Sequence, residues 1–263
     1  MTSGVDSTKQ GALRVLNAIS EHTDWVDALI RTSAVSPLVK AITLRDHGAK
    51  LEVLQVINTI SEHAGGVDAL IRAEALSPLV ETIASGYDST TLKALRVINT
   101  ILEYADGVNA LIRTKAISPL VKAITPLVTA RKIRPPFKQV TLQVINTISK
   151  HADGVDALIC AGVLSLLVEA MGKGNAKQIK QQASLVITTI LRHADGVDAL
   201  ICAGALSPLV EATKLKLIDD DDTKLEALRV IDKISKHASR VDVQPSPLVD
   251  TPVAHDIWAL LSS

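Results

Sequence analysis

A nine-residue phrase returns along this chain at near-constant spacing, and a fixed period constrains architecture before any local reading does. It reads HTDWVDALI from His22, HAGGVDALI from His63, YADGVNALI from Tyr104, and HADGVDALI from both His151 and His193, with a degraded copy, HASRVDV, from His237. Successive copies begin 41, 41, 47, 42 and 44 residues apart. A unit of about 42 residues has been multiplied and then altered by insertion. Residues 1–263 are expected to form one array, because stacked units grow by addition and share no single core to outgrow. Its expected units are a partial one at 8–23, full ones at 24–63, 65–104, 106–151, 153–193 and 195–237, and a degenerate C-terminal cap at 239–263.

The interior of such an array must be aliphatic, since 47% of residues are apolar but only 2% aromatic. Charge is balanced locally as well as globally, with 13 basic and 13 acidic residues up to Arg131 and 15 of each after it. Neither half has the basic excess that general nucleic-acid or anionic-membrane binding requires. Cys160 and Cys202 occupy the same position in adjacent units. Equivalent points on stacked helices lie about 8–10 Å apart, outside disulfide reach, so both are expected to be buried thiols in a reducing compartment. There is no leader-like opening and every long apolar run is broken by charge, giving the expectation of a soluble intracellular protein, cytoplasmic or nuclear.

Within a unit, punctuation separates three helices. In the copy from Asp195, a D-x-x-D pattern offers Asp195 as N-cap and Asp198 as a first-turn carboxylate. A short helix over 196–202 follows, and Gly204 supplies a turn. Ser207-Pro208 then reads as N-cap and first residue of a second helix, and a long helix covers 223–237 after the acidic run at 219–222. In the long helix at 91–104, Leu92, Ala94, Leu95, Val97, Ile98 and Ile101 form a broad apolar face, with Arg96, Asn99 and Glu103 on another. The polar line repeats as Arg14, Asn17, Glu21; Gln55, Asn58, Glu62; Gln143, Asn146, Lys150; Leu185, Thr188, Arg192; and Arg229, Asp232, Lys236. Side-by-side long helices would make it a polar ribbon of about six rungs and roughly 50 Å, long enough for some 15 extended residues.

The run Ala199-Leu200-Ile201-Cys202-Ala203-Gly204-Ala205-Leu206-Ser207-Pro208-Leu209-Val210, with its short-short-long helix order, resembles the armadillo repeat family. The resemblance implies an all-α fold, a right-handed α-α superhelix of about five repeats like that of importin-α and β-catenin. It also implies a non-catalytic scaffold whose third helices line a concave groove for an extended peptide or protein segment. The family's peptide binders carry Trp and, four residues on, Asn on the third helix. Here the Trp positions hold Arg14, Gln55, Arg96, Gln143, Leu185 and Arg229, and the Asn positions hold Ala18, Thr59, Thr100, Thr147, Thr189 and Lys233. Asn17, Asn58, Asn99 and Asn146 instead form a ladder one residue earlier, and the turn glycine is kept only at Gly162 and Gly204.

The candidate groove residues are therefore Arg14, Asn17, Glu21, Gln55, Asn58, Glu62, Arg96, Asn99, Glu103, Gln143, Asn146, Lys150, Arg192 and Arg229. An amide both donates and accepts, so an asparagine ladder can hold a passing backbone whatever its sequence; local contacts between units are the competing explanation. One column runs Glu21, Glu62, Glu103, then Lys150, Arg192, Lys236, which would suit a partner with a basic and an acidic segment. The insertion at 125–139 places Arg131, Lys132, Arg134 and the only phenylalanine, Phe137, in a proline-stiffened candidate docking loop. The histidine column cannot share a zinc across rungs and reads as helix-end residues, so no metal or cofactor is expected. No nucleophile, base or phosphate loop stands out, and catalysis is not expected. The alternatives to a peptide scaffold are a structural or self-associating repeat module, natural or of engineered, consensus-like origin, because the chain opens on a long helix without the two short ones that precede it elsewhere, and, ranked last, a small-molecule binder or unusual enzyme using the groove.

Overall fold

The glycine of the repeated phrase sits where one helix crosses another at the closest approach. A Cβ on Gly66, Gly107 or Gly154 would run into the carbonyl oxygen of Ile60, Ile101 or Ile148 respectively, at the end of the preceding long helix. Each short helix thus turns across its predecessor with backbone against backbone, a packing that only glycine permits. The first copy has Trp25 at this position, and its ring is half exposed.

The computed structural model describes residues 23–190 except 44, 45, 64, 87, 88, 131, 132 and 172–174, together with Gly11, Arg14, Val15, Ala18 and Asp232. Outside the described residues lie the expected N-terminal helix as a whole, the acidic run, the unit from Asp195 and the C-terminal cap. The same holds for Asn17, Glu21, Arg131, Lys132, Arg192, Cys202, Arg229 and Lys236. Twelve α-helices and no strands are found among the described residues.

Two compact units divide the chain, one up to Leu127 and one from Val128. The first contains α1 (Thr23–Arg31), α2 (Val35–Ala41), α3 (His47–Ser61), α4 (Gly66–Arg72), α5 (Leu76–Ala84), α6 (Ser89–Leu102) and α7 (Ala105–Arg113). The boundary falls inside α8 (Ile117–Thr129). The second contains α9 (Pro135–Ser149), α10 (Ala152–Cys160), α11 (Val163–Met171) and α12 (Lys177–Ile190). Among the described residues, each long helix follows two shorter ones.

In the first unit, long helix α3 packs along long helix α6, α5 lies against α6, and α4 against α7. Val53, Leu54, Val56, Ile57 and Ile60 of α3 are buried at the same columns as Ala94, Leu95, Val97, Ile98 and Ile101 of α6. Burying each valine, leucine or isoleucine among them is worth about 1.5–3 kcal/mol, so the aliphatic columns hold the rungs together. The second unit repeats the arrangement with α9 along α12 and α11 against α12. Two of its core columns are polar: Thr141 stands at the Val53 and Ala94 position, and Ser184 at the Leu54, Leu95 and Leu142 position. Both hydroxyls are buried without a hydrogen-bond partner.

Several local expectations are corrected. In α7 and α10 the aspartates of the phrase are not N-caps: these helices are capped by the backbone of Tyr104 and His151, with Asp106 and Asp153 in the first turn, while Asp195 lies outside the described residues. There a carboxylate still favours the helix electrostatically. The Ser-Pro pair does not begin the second helix in the described units. Ala34 and Ala75 are the N-caps, so Pro37 and Pro78 come third in α2 and α5, where their missing N–H remains among the unpaired first four. Cys160 is exposed at the last turn of α10, in the column of Arg31, Arg72 and Arg113, instead of buried.

The turn between the short helices keeps its left-handed residue without glycine. Ser33, Glu74 and Lys115 have φ of 57°, 57° and 54°, and Gly162 has 78° at the equivalent place. At Glu74, its own N–H reaches the Ile71 carbonyl and the Ala75 N–H reaches Leu70, both at 3.0 Å. This is the Schellman pattern, which satisfies the last carbonyls of a helix and needs a left-handed residue whatever its side chain.

The expected docking loop is largely helix. The extra residues extend α8 through Pro126 to Thr129, and Pro135-Pro136 start α9, as proline's fixed φ allows at the first helical positions. Phe137 is buried in α9 and belongs to the core. Arg134 caps α9 with its backbone and is exposed. Lys138 is buried too; its ammonium donates to Asn175 Oδ1 at 2.7 Å, while the Asn175 amide donates to the Ala170 carbonyl at 3.0 Å.

Candidate functional site

Helices α3 and α6 lie side by side and present the polar line as two rungs. On α3, Gln55 and Asn58 are half-buried and Glu62 is exposed; on α6, Arg96 and Glu103 are exposed and Asn99 is half-buried. Within each rung the amide reaches down one turn. Asn58 Nδ2 donates to Glu62 Oε1 at 2.7 Å, and Asn99 Nδ2 donates to Glu103 Oε1 at 3.3 Å. Those bonds use the amide donors and orient the amide, and such an i, i+4 pair contributes only about 0.2–0.5 kcal/mol. A ligand able to offer a better acceptor can therefore compete for the donor at small cost.

The residue after each asparagine behaves differently. The hydroxyls of Thr59, Thr100, Thr147 and Thr189 donate to the carbonyls of Gln55, Arg96, Gln143 and Leu185, four residues back, at 3.2, 3.2, 3.0 and 3.0 Å. A threonine whose hydroxyl bonds its own helix in this way has that donor committed. The amides of the preceding column bond side chains instead, Asn58 to Glu62 and Asn99 to Glu103.

Rung-to-rung contacts involve the positions beside the line. The Lys93 ammonium of α6 donates to Gln55 Oε1 of α3, and Ser89 Oγ lies 3.5 Å from His47 Nε2. Burial pushes the Lys93 pKa below its ordinary value, the positive charge of Arg96 pushes it the same way, and Glu62 opposes both. Between the two helices lies a cleft of about 340 Å³ with Leu51 and Leu92 among its lining residues and Gln55, Lys93 and Arg96 around them. Glu52, also at this cleft, is 3.8 Å from the guanidinium of Arg14, itself largely exposed.

In the second unit the line changes character. Gln143 and Lys150 are exposed and Asn146 half-buried on α9, while Leu185 of α12 is half exposed. Lys150 has no acceptor to offer, and no side-chain hydrogen bond is formed by the Asn146 amide among the described residues. Thr188, expected on the polar surface, is buried and its hydroxyl lacks a partner. A separate cleft of about 330 Å³ lies at the short-helix edge of the first unit, between Arg72 with Glu74 and Arg113 with Thr114. Neither cleft is legible in the residue pattern, since each is made by residues from two rungs.

No grouping of three or more His, Cys, Asp or Glu side chains among the described residues could hold a metal ion. No family model matches the sequence, and no curated protein does. Solved structures do. A designed armadillo repeat protein in complex with the peptide (KR)4 is 26% identical, with 84% of this chain and 92% of that one covered and a TM-score of 0.69. The chain has an armadillo-type repeat fold. Computationally designed armadillo repeat proteins for modular peptide recognition match at 25% identity and a TM-score of 0.68, over 86% of this chain and 92% of theirs. A further designed armadillo repeat protein matches at 25% identity and 0.67, with the same two coverages. An armadillo-type fold explains why the asparagines and the cleft share a face: both lie on the long third helices, the elements that stack in parallel.

Proposed function

We propose that this armadillo-type chain is a non-catalytic scaffold that binds an extended peptide segment across its long third helices, with the shifted asparagine column as the backbone clamp. The observation that carries the reading is the repeated geometry of Asn58 with Glu62 and Asn99 with Glu103. It places a pre-oriented amide on successive rungs of one face. Packed helices are spaced about 8–10 Å apart, and an extended chain advances about 3.3 Å per residue, so one amide meets every third residue or so. The structural relatives support the reading, because two of them are described by peptide binding or recognition. The small number of singular polar positions on this face argues for recognition of a backbone over chemistry on a substrate.

Selection from a display library of linear 12-residue peptides on the full chain tests this. Enriched binders whose affinity falls on changing Asn58 and Asn99 together to Ala are expected. Failure to enrich linear peptides, or binders indifferent to both asparagines, would overturn it.

A further inference from the structure

A repeat protein that binds only through repeated positions reads a backbone and little else; selectivity needs a place where the repetition breaks. The cleft between α3 and α6 is such a place. Leu51 and Leu92 fall in one column, 41 residues apart, and are both part of its lining. In the second unit the same column holds Gln139 and Gln181. The Lys93 column holds Glu52 on the preceding rung, and Val140 and Gln182 in the second unit. The α3–α6 cleft thus joins two leucines with two cations, Lys93 and Arg96.

The chemistry of that cleft is lopsided. Its exposed lining is mostly apolar, and its volume of about 340 Å³ accommodates a leucine- or phenylalanine-sized side chain. At its edge, Lys93 is bonded to the neutral Gln55 oxygen, and the exposed Arg96 guanidinium has no ion pair among the described residues. The one carboxylate of the lining, Glu52, already faces Arg14. Two like charges share the edge, so an incoming anion is attracted by both and relieves their repulsion.

We infer that the α3–α6 cleft is an anchor subsite for an extended peptide carrying an apolar side chain followed two residues later by a carboxylate. The apolar group fills the space over Leu51 and Leu92, and the carboxylate pairs with Arg96 and Lys93. The spacing follows from the extended chain, in which residues i and i+2 point the same way about 6.6 Å apart. This rests on the proposed groove reading and adds a preference to it: acidic next to apolar, in contrast to the (KR)4 peptide in the complex of one structural relative.

The test uses the full chain and fluorescein-labelled 12-residue peptides in a Gly/Ser background, read by anisotropy. They carry the pattern Leu-x-Glu, Ala-x-Glu, Leu-x-Gln or Leu-x-Lys, with a peptide of four Lys-Arg repeats beside them. Leu-x-Glu is expected to bind best, with about tenfold loss on removing either the leucine or the carboxylate, the usual scale of one good contact. Arg96→Glu should reverse the preference toward Leu-x-Lys, whereas Lys122→Glu, a charge change on the exposed side of α8, should leave the order unchanged. Equal binding of the Glu, Gln and Lys peptides, no binding by Leu-x-Glu, or an order unmoved by Arg96→Glu would overturn the proposal. Binding that depends on Asn58 and Asn99 but ignores Arg96 would remove the subsite and keep the groove; binding independent of both would remove the groove reading as well.

Discussion

Gly107 lies against the carbonyl of Ile101 so closely that no side chain, however small, fits between them. The same holds for Gly154 and Ile148. Gly107→Ala and Gly154→Ala are therefore expected to destabilise the fold by about 2–3 kcal/mol each, the upper range for overpacking, although alanine is the better helix former. Urea unfolding of each variant checks this. A loss below about 0.5 kcal/mol would mean that the helix crossing can open without cost.

The left-handed turns make the opposite prediction. Glu74 and Lys115 adopt φ of 57° and 54°, which costs a side-chain-bearing residue about 1 kcal/mol or more. Glu74→Gly and Lys115→Gly should each stabilise by about 0.5–1 kcal/mol, the gain being reduced by glycine's greater freedom when unfolded. Gly162→Ala should lose a similar amount. Midpoints of denaturant unfolding decide it, and destabilisation by the two glycine variants would contradict the turn assignment.

Polar groups in the core of the second unit are a separate weakness. Thr141 and Ser184 bury hydroxyls that have no partner, at columns filled by Val53 and Leu54 in the first unit. Thr141→Val keeps the shape and removes the hydroxyl, so a gain of about 1 kcal/mol is expected, and Ser184→Ala should gain somewhat less. Thermal unfolding of the single and double variants tests this; a loss on Thr141→Val would show that its hydroxyl is satisfied in solution.

Lys138 should leave a mark at alkaline pH. Burial lowers its pKa in the folded chain below the ordinary 10.5, so the unfolded chain binds its proton more tightly. Between the two values the unfolded state carries more protons, and the lysine's contribution to stability rises with pH across that window. Below the window the penalty of the buried charge is constant. Compared with Lys138→Met at matched pH, the wild-type chain should gain relative stability from neutral pH to pH 10.5, measured as the difference in unfolding midpoints. An unchanged difference would count against the burial.

The period and helix order were legible in the repeated phrase because stacking requires the same apolar columns in every unit, as Leu54, Leu95 and Leu142 show. What the phrase does was less legible. Its aspartates resemble caps, but Asp106 and Asp153 sit inside the helix, while the glycine between the short helix and Ile101 or Ile148 carries the geometric constraint. A contact between consecutive helices leaves no trace in one helix's periodicity. The left-handed turns were hidden for a related reason, since Ser33, Glu74 and Lys115 hold a conformation that composition does not announce. Phe137 looked like part of a loop because it follows two prolines; those prolines instead begin α9 and turn the ring inward. On the polar face the sequence marked Asn58 and Asn99 as a ladder but not their bonds to Glu62 and Glu103, and it missed the cleft that Leu51 and Leu92 help to line.

The proposed peptide groove lies on the third-helix face and not at the short-helix edge, which has its own cleft at Arg72 and Arg113. The most direct measurement is the affinity of one library-selected linear peptide for two double variants of the full chain, Asn58→Ala with Asn99→Ala and Arg72→Ala with Arg113→Ala. A loss of at least about tenfold is expected for the first pair, as for two lost hydrogen bonds, and no change for the second. Loss confined to the arginine pair would contradict it.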